Sequence, residues 1–143
     1  SWVYGPVGAN FFLTMLRLHR QKAEAAEPLR VVADQVGCPT STSGLAQACW
    51  RLVERQLGGV MHWSDAGAAR WYDFAVAIGE LAEAAGQLEH AAKVFPISSA
   101  DYPTPARRPA YSLLDCSSSR ELLGLMPKHW RQALREVIAD VGS

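Results

Sequence analysis

A proline-rich segment at residues 100–109 holds the side chains best suited to binding an anion. It contains three prolines together with Tyr102 and the adjacent pair Arg107 and Arg108. Prolines restrict the backbone, so the segment predicts a stiff loop that loses little entropy when it binds a ligand. Neighbouring guanidinium groups can form forked hydrogen bonds to a diphosphate. The alternative is a structural loop whose arginines pair with acidic surface groups, and the residues alone leave both interpretations open.

Aromatic residues cluster near the predicted loops, where a ring face can stack on a base or a sugar. Trp71 lies in a helical pattern of apolar residues and is therefore expected mainly to pack in the core. The aromatic residues in question are Trp2, Tyr4, Phe11, Trp63, Trp71 and Tyr72.

The chain contains no recognisable catalytic motif. Glycine-rich phosphate-binding patterns are absent, and residues 5–8 are predicted to form a turn. His62 is expected to be a half-buried strand residue rather than a general base. Cys38 has no identifiable base beside it, so an inert side chain is favoured over a reactive thiol. The acidic residues form no metal-ligand pattern.

The composition is that of a single globular domain. Of the 143 residues, 49% are apolar and 20% are charged, and the formal net charge is zero. No global field would therefore recruit nucleic acid or an acidic membrane surface. No apolar run is long enough to cross a membrane, and no signal peptide opens the chain. Three widely spaced cysteines argue against a disulfide framework or a zinc site and favour a cytoplasmic location.

Strand and helix patterns alternate along the chain, which predicts an α/β fold. Asn10 is expected to cap the first helix, and Gly86 suits the end of the third. The first five residues read as a strand running directly into a turn, as if the chain were cut through the middle of a fold. Strands are predicted at residues 1–4, 29–33, 60–63 and 94–97. Helices are predicted from Asn10 to before Pro28, from residues 41–43 to about 56, at 70–85, from Asp115 or a following serine to Gly124, and from Pro127 through Val137.

Five blocks of sequence resemble the dTDP-4-dehydrorhamnose reductase family in order and in spacing. They are SWVYG, NFFLTMLRL, LRVVADQVGCPTS, GGVMHWSDAGAARWYDFA and DYPTPARRPAYSLLD. The resemblance implies an extended short-chain dehydrogenase/reductase with an N-terminal Rossmann domain and a smaller C-terminal domain that holds a nucleotide sugar. Such an enzyme uses NADPH or NADH to reduce the C4 ketone of dTDP-4-dehydro-L-rhamnose to dTDP-L-rhamnose.

The catalytic Tyr-x-x-x-Lys of that family is missing from this chain, because no tyrosine is followed by lysine at that spacing. Residues 1–143 are therefore expected to be the substrate-binding C-terminal portion, to lack the NAD(P)-binding half, and to be inactive alone. Some family members bind magnesium through a carboxylate after the Pro-Thr turn. Residues 41–44 contain no carboxylate, so a magnesium site is not expected here.

The resemblance also implies which residues contact the nucleotide sugar. Trp2 matches a tryptophan that packs on the sugar nucleotide, and the paired arginines match those of the family's proline loop. The full set of substrate-binding residues carried over is Trp2, Asn10, Phe11, Gln35, Thr40, Arg107 and Arg108.

Two other interpretations remain open. One is a non-catalytic, regulatory relative of the reductase family, of which the regulatory subunit of methionine adenosyltransferase is an example. The other is an α/β module without a ligand. For the favoured interpretation, the expected partners are the nucleotide sugar, the N-terminal domain and a second copy in a homodimer. An apolar surface that docks on the N-terminal domain should then be exposed, and the isolated chain should self-associate.

Overall fold

Five α-helices and six short strands make up the part of the chain that the computed structural model describes, residues 1–141. The helices are α1 (Phe11–Glu24), α2 (Thr42–Glu54), α3 (Trp71–Ala84), α4 (Ser117–Leu123) and α5 (Trp130–Val141). The strands are β1 (Val3–Tyr4), β2 (Leu29–Val32), β3 (Val36–Gly37), β4 (Thr40–Ser41), β5 (Ala69–Arg70) and β6 (Val94–Ile97). A short 3-10 turn covers Ser99–Asp101.

The strands pair two by two. β1 lies parallel to β4, and β2 lies parallel to β6 over four residue pairs. β3 lies antiparallel to β5, with Val36 opposite Arg70 and Gly37 opposite Ala69. Parallel strands separated along the chain by helices confirm the predicted α/β class.

The central helix of the core is α3. It packs against α1, α5 and three of the strands, and Phe74 and Ile78 are fully buried. His19 of α1 joins it, because its ring Nε2 lies 2.9 Å from the carbonyl oxygen of Ala75 and therefore donates to it. Gly79 leaves room for that ring, since a Cβ there would lie 2.6 Å from the His19 Cε1. Burial lowers the pKa of His19, which favours the neutral ring.

Local capping rules account for several helix ends. The Asn10 side chain accepts a hydrogen bond from the Leu13 amide and donates to the carbonyls of Gly5 and Val7. It therefore caps α1, as predicted, and fixes the preceding loop. Gly86 follows α3 with φ +73°, a backbone conformation that favours glycine.

Two predicted elements are wrong. Residues 60–63 form no strand, because the His62 amide donates to the Ser119 hydroxyl rather than to a neighbouring strand, and His62 itself is exposed. The last helix begins at Trp130 and not at Pro127. The reason is that Ala66 pairs with the backbone just before the helix, through Ala66 N to Lys128 O (2.8 Å) and Trp130 N to Ala66 O (2.9 Å).

An apolar stripe remains exposed on α2. Ala48 is the one buried residue of this helix, whereas Trp50 is 68% exposed and Val53 is 67% exposed. The stripe consists of Ala46, Cys49, Trp50 and Val53, whose spacing places them on one helix face. No helix within residues 1–141 is long and apolar enough to cross a membrane.

Candidate functional site

The residues from Asp34 to Gly37, here called the 34–37 segment, connect the two features that the sequence singled out. β3 ends the segment and pairs with β5, which places its residues beside the start of α3. Trp71 is the first residue of α3 and follows β5 directly. The segment therefore meets the aromatic residues on one side, and its remaining hydrogen bonds go to the proline-rich loop.

The aromatic cluster consists of Trp2, Phe11 and Trp71. The Trp2 and Trp71 rings are stacked, with centroids 3.7 Å apart and an interplanar angle of 9°. Phe11 is tilted against Trp71 at 4.6 Å. All three side chains are half-buried, so part of the cluster reaches the surface. Such rings can pack against the apolar face of a sugar or a base.

Gly37 lies against the indole of Trp2. A Cβ at Gly37 would lie 2.4 Å from Trp2 Cε2 and 2.7 Å from both Cζ2 and Nε1. The point is nearest to Cε2 and equally farther from Nε1 and Cζ2, which places it above the ring plane, and Trp71 already covers the other face. Trp2 also has φ +52°, an unfavourable backbone angle for a tryptophan. The free surface of Trp2 in this arrangement is therefore its ring edge.

Gln35 uses both ends of its side-chain amide within the chain. Its Oε1 accepts a hydrogen bond from Trp71 Nε1 at 3.2 Å, and its Nε2 donates to Ser99 Oγ at 2.8 Å. The indole N–H is a donor only, which fixes the orientation of the amide. Gln35 thus joins the aromatic cluster to the 3-10 turn at the start of the proline-rich loop.

Both ends of the proline-rich loop, defined structurally as residues 98–112, are attached to the 34–37 segment. At the start, the Ser99 amide and hydroxyl donate to the Asp34 carboxylate at 2.8 and 2.6 Å. These bonds lower the pKa of Asp34. At the end, Val36 N donates to Ala110 O, and Ser112 N donates to Val36 O, each at 2.8 Å. The loop is exposed but anchored at both ends.

Arg107 and Arg108 lie within this loop and are exposed. Within residues 1–141, their guanidinium groups form no ion pair or hydrogen bond. The structure therefore does not pair them with acidic groups of the described chain. Their donors are free to bind an anion.

The side chains of Thr40 and Asn10, two further residues that the resemblance predicts to bind substrate, form hydrogen bonds within the chain. Thr40 lies in β4 with 0% exposure, and its hydroxyl donates to the Cys38 carbonyl at 3.3 Å. The Asn10 side chain is occupied by the cap of α1 described above. Of the seven predicted residues, Trp2 and Phe11 belong to the aromatic cluster, Gln35 lies in the 34–37 segment, and Arg107 and Arg108 lie on the loop attached to that segment. The Thr40 amide donates to the Trp2 carbonyl at 3.1 Å.

Sequence reasoning missed the partners that organise this site. Trp71 packs against the core, as expected, but its stacking on Trp2 and its hydrogen bond to Gln35 were not foreseen. Gly37 and Ser99 carried no signal of a role, because their contacts join residues that are distant in sequence. The run of polar residues at 34 and 35 directly after a strand was the available hint.

Other titratable groups are buried away from the aromatic cluster. Burial raises the pKa of the Cys38 thiol to about 11, and its Sγ donates to the Asp65 carbonyl at 3.1 Å. This supports the inert interpretation of Cys38. Burial also raises the pKa of Asp65, whose carboxylate accepts from the Ser41 amide at 2.9 Å next to α2. Within residues 1–141, no group of three or more potential ligands could hold a metal ion.

The loop between β1 and α1 does not fit the pyrophosphate of a nicotinamide dinucleotide. Thr42 fills the space beside Gly5, with its Oγ1 only 2.4 Å from where a Cβ would lie. Asn10 already accepts from the Leu13 amide in the first turn of α1. We therefore assign no pyrophosphate site to this loop.

Comparison with known proteins identifies related sequences along the whole chain. The spore coat polysaccharide biosynthesis protein SpsK of Bacillus subtilis (strain 168) is 43% identical over 143 residues, covering 100% of this chain and 46% of that protein. The chain spans about half the length of the curated relatives it matches.

Solved structures give the same result for the fold. A dTDP-4-dehydrorhamnose reductase from Clostridium acetobutylicum matches with a TM-score of 0.85 and 35% identity, over 100% of this chain and 47% of that one. The Bacillus anthracis dTDP-4-dehydrorhamnose reductase, solved in complex with NADP, matches with a TM-score of 0.84 and 31% identity, over 98% of this chain and 46% of that one. The family model described as the RmlD substrate binding domain matches residues 1–143. The chain therefore belongs to the RmlD substrate-binding domain family.

Proposed function

We propose that this chain is the nucleotide-sugar-binding half of a reductase that converts the C4 ketone of dTDP-4-dehydro-L-rhamnose to the alcohol of dTDP-L-rhamnose. Relatives of about twice its length carry the reductase name, and one is solved with NADP. In the whole protein, NADPH or NADH supplies the hydride. This chain contributes binding and orientation of the sugar nucleotide and is inactive by itself.

The observation that carries this proposal is the attachment of two ligand-suited features to one four-residue segment. Gly37 contacts Trp2 of the aromatic cluster, and Gln35 bonds Trp71. Asp34 and Val36 hold the two ends of the loop that carries the free arginines. A nucleotide sugar has a diphosphate between two rings. An arginine loop and an aromatic cluster that are both attached to the 34–37 segment match that chemistry.

The two parts have separate tasks. Arg107 and Arg108 neutralise the diphosphate with forked, charge-assisted hydrogen bonds. The exposed edges of the aromatic cluster pack on a ring of the ligand, which excludes water from that side. Because the loop is anchored at both ends, little loop entropy is lost on binding. The ketone is thereby held in one orientation for reduction.

Isothermal titration calorimetry with dTDP and dTMP tests the proposal. If the arginines bind the diphosphate, dTDP binds more tightly than dTMP, and the double variant Arg107→Gln/Arg108→Gln weakens dTDP binding about tenfold or more. Arg135→Gln is the matched control, since Arg135 is exposed on α5. Absence of any binding at millimolar dTDP, or equal dTDP affinity in the double variant, would overturn it.

A further inference from the structure

Three hydrogen bonds run in one direction from the aromatic cluster to a carboxylate. Trp71 Nε1 donates to Gln35, Gln35 Nε2 donates to Ser99, and Ser99 Oγ donates to Asp34. The heavy-atom distances are 3.2, 2.8 and 2.6 Å, so the bonds shorten toward the anion. Consecutive hydrogen bonds of this kind polarise one another, so the strength of each bond depends on the next.

The direction of the chain is fixed by its two ends. Trp71 can only donate, and an ionised Asp34 can only accept. Gln35 must therefore present its oxygen to the indole and its NH₂ to Ser99, whose single hydroxyl proton is then committed to Asp34. Losing the central amide removes the acceptor of the Trp71 indole N–H and the donor to Ser99 Oγ, whereas Ser99 keeps its bond to Asp34. No other side chain connects Trp71 with Ser99 within residues 1–141.

We propose that Gln35 is a positioning residue that couples the orientation of Trp71, and with it the Trp2 stack, to the anchoring of the arginine loop. This deepens the proposed function and rests on it for its role in ligand binding. In the sequence-based expectation Gln35 contacted the nucleotide directly. Here both ends of its amide also bond within the chain, which gives Gln35 a route to the ligand through the ring and the loop.

Coupling of this kind predicts that loss of the Trp71 indole N–H, which leaves the backbone pairing of Val36 with Arg70 intact, reaches the loop through Gln35. Trypsin reports the loop without any ligand, because it cleaves between Arg107 and Arg108, whereas Pro109 blocks cleavage after Arg108. Trp71→Phe keeps an aromatic ring and removes the indole donor. Gln35→Met keeps the length of the side chain and removes both hydrogen-bonding groups.

The experiment is a mutant cycle on the 143-residue chain, with cleavage after Arg107 measured by mass spectrometry. We expect Trp71→Phe to speed cleavage about threefold or more in the wild-type background, as residues of one hydrogen-bond network do when coupled, and to have almost no effect in Gln35→Met. Gln21→Leu, an exposed residue of α1, should leave the rate unchanged. Circular dichroism melts establish that each variant is folded.

Equal acceleration by Trp71→Phe in both backgrounds, or none in the wild-type background, would overturn the coupling. If Gln35→Met does not fold, Ser99→Ala provides a second test of the coupling, since it interrupts the series of hydrogen bonds one step further on. In that case the effects of Trp71→Phe and Ser99→Ala must be non-additive, and strict additivity refutes the proposal.

Titration with dTDP separates this inference from the proposed function. If wild-type chain binds dTDP, its affinity should follow the same non-additive pattern as the cleavage rate, which a role limited to fold stability would not produce. If wild-type chain does not bind dTDP, the proposed function fails while the proteolysis cycle still decides the coupling.

Discussion

Gly37→Ala tests the packing beneath the aromatic cluster. The backbone at Gly37 is not left-handed, so alanine is compatible with it and the effect is steric. The added Cβ would lie 2.4–2.7 Å from three atoms of the Trp2 indole. Trp2 has no room to recede, because its other face stacks on Trp71 at 3.7 Å. Either the stack shifts or Trp2 leaves it.

Both responses cost similar free energy. Forcing a methyl group into a filled space typically costs about 1–3 kcal/mol. Expelling Trp2 forfeits roughly 0.5–1.5 kcal/mol of ring–ring interaction, and its buried area in addition. Replacing glycine by alanine also restricts the unfolded chain, which returns about 0.4–1 kcal/mol. A glycine with open surroundings is needed to separate these contributions.

Gly58→Ala is that control, since nothing lies within 4 Å of its Cβ position and its backbone is not left-handed. We expect Gly37→Ala to be less stable than Gly58→Ala by about 1–3 kcal/mol, the cost of overpacking. In a thermal melt this corresponds to a midpoint roughly 2–10 °C lower for a chain of this length. Equal midpoints for the two variants would refute the packing of Trp2 between Gly37 and Trp71.

Three further predictions concern groups outside the aromatic cluster. Burial lowers the pKa of His19, so its contribution to the free energy of unfolding is fully present above about pH 6.5 and is lost as the pH falls through the lowered pKa. Urea unfolding at several pH values should show this loss of stability, which His19→Gln removes and His62→Gln keeps. Asp65→Ala leaves the buried amide beside α2 unpaired and should lower the free energy of unfolding by about 1–3 kcal/mol, whereas Asp65→Asn, which keeps an acceptor, should cost less. Trp50→Glu should reduce self-association of the chain in light scattering, whereas Val60→Glu, at an exposed loop residue outside the stripe, should not. Equal association of both variants would contradict self-association through the α2 stripe.

Local rules identified the fold class and most helices from the sequence, because capping and periodicity depend on neighbouring residues. Asn10 and Gly86 are examples. The failures came from tertiary contacts. Residues 60–63 resemble a strand in sequence, but the His62 amide bonds the Ser119 hydroxyl instead of a neighbouring strand. The last helix begins only at Trp130, because the backbone just before it pairs with Ala66.

The candidate site shows the same division. The arginine loop was recognisable because prolines and arginines stand together in one segment. The stack of Trp2 on Trp71 was not recognisable, since helix-spaced aromatic residues usually pack in the core and the two tryptophans lie far apart in the sequence. Gln35 was found only through resemblance; its side-chain amide bonds Trp71 and Ser99, and its direct contact with the nucleotide stays a prediction.

The central claim is that the aromatic cluster and the arginine loop bind a nucleotide diphosphate. Its most direct test is a dTDP titration followed by the five tryptophan indole N–H signals in ¹H–¹⁵N NMR, assigned by Trp→Phe variants. We predict that the signals of Trp2 and Trp71 shift with dTDP, while those of Trp50 on α2 and Trp130 in the core stay in place. Unchanged Trp2 and Trp71 signals at millimolar dTDP, or shifts confined to Trp50, would contradict the account.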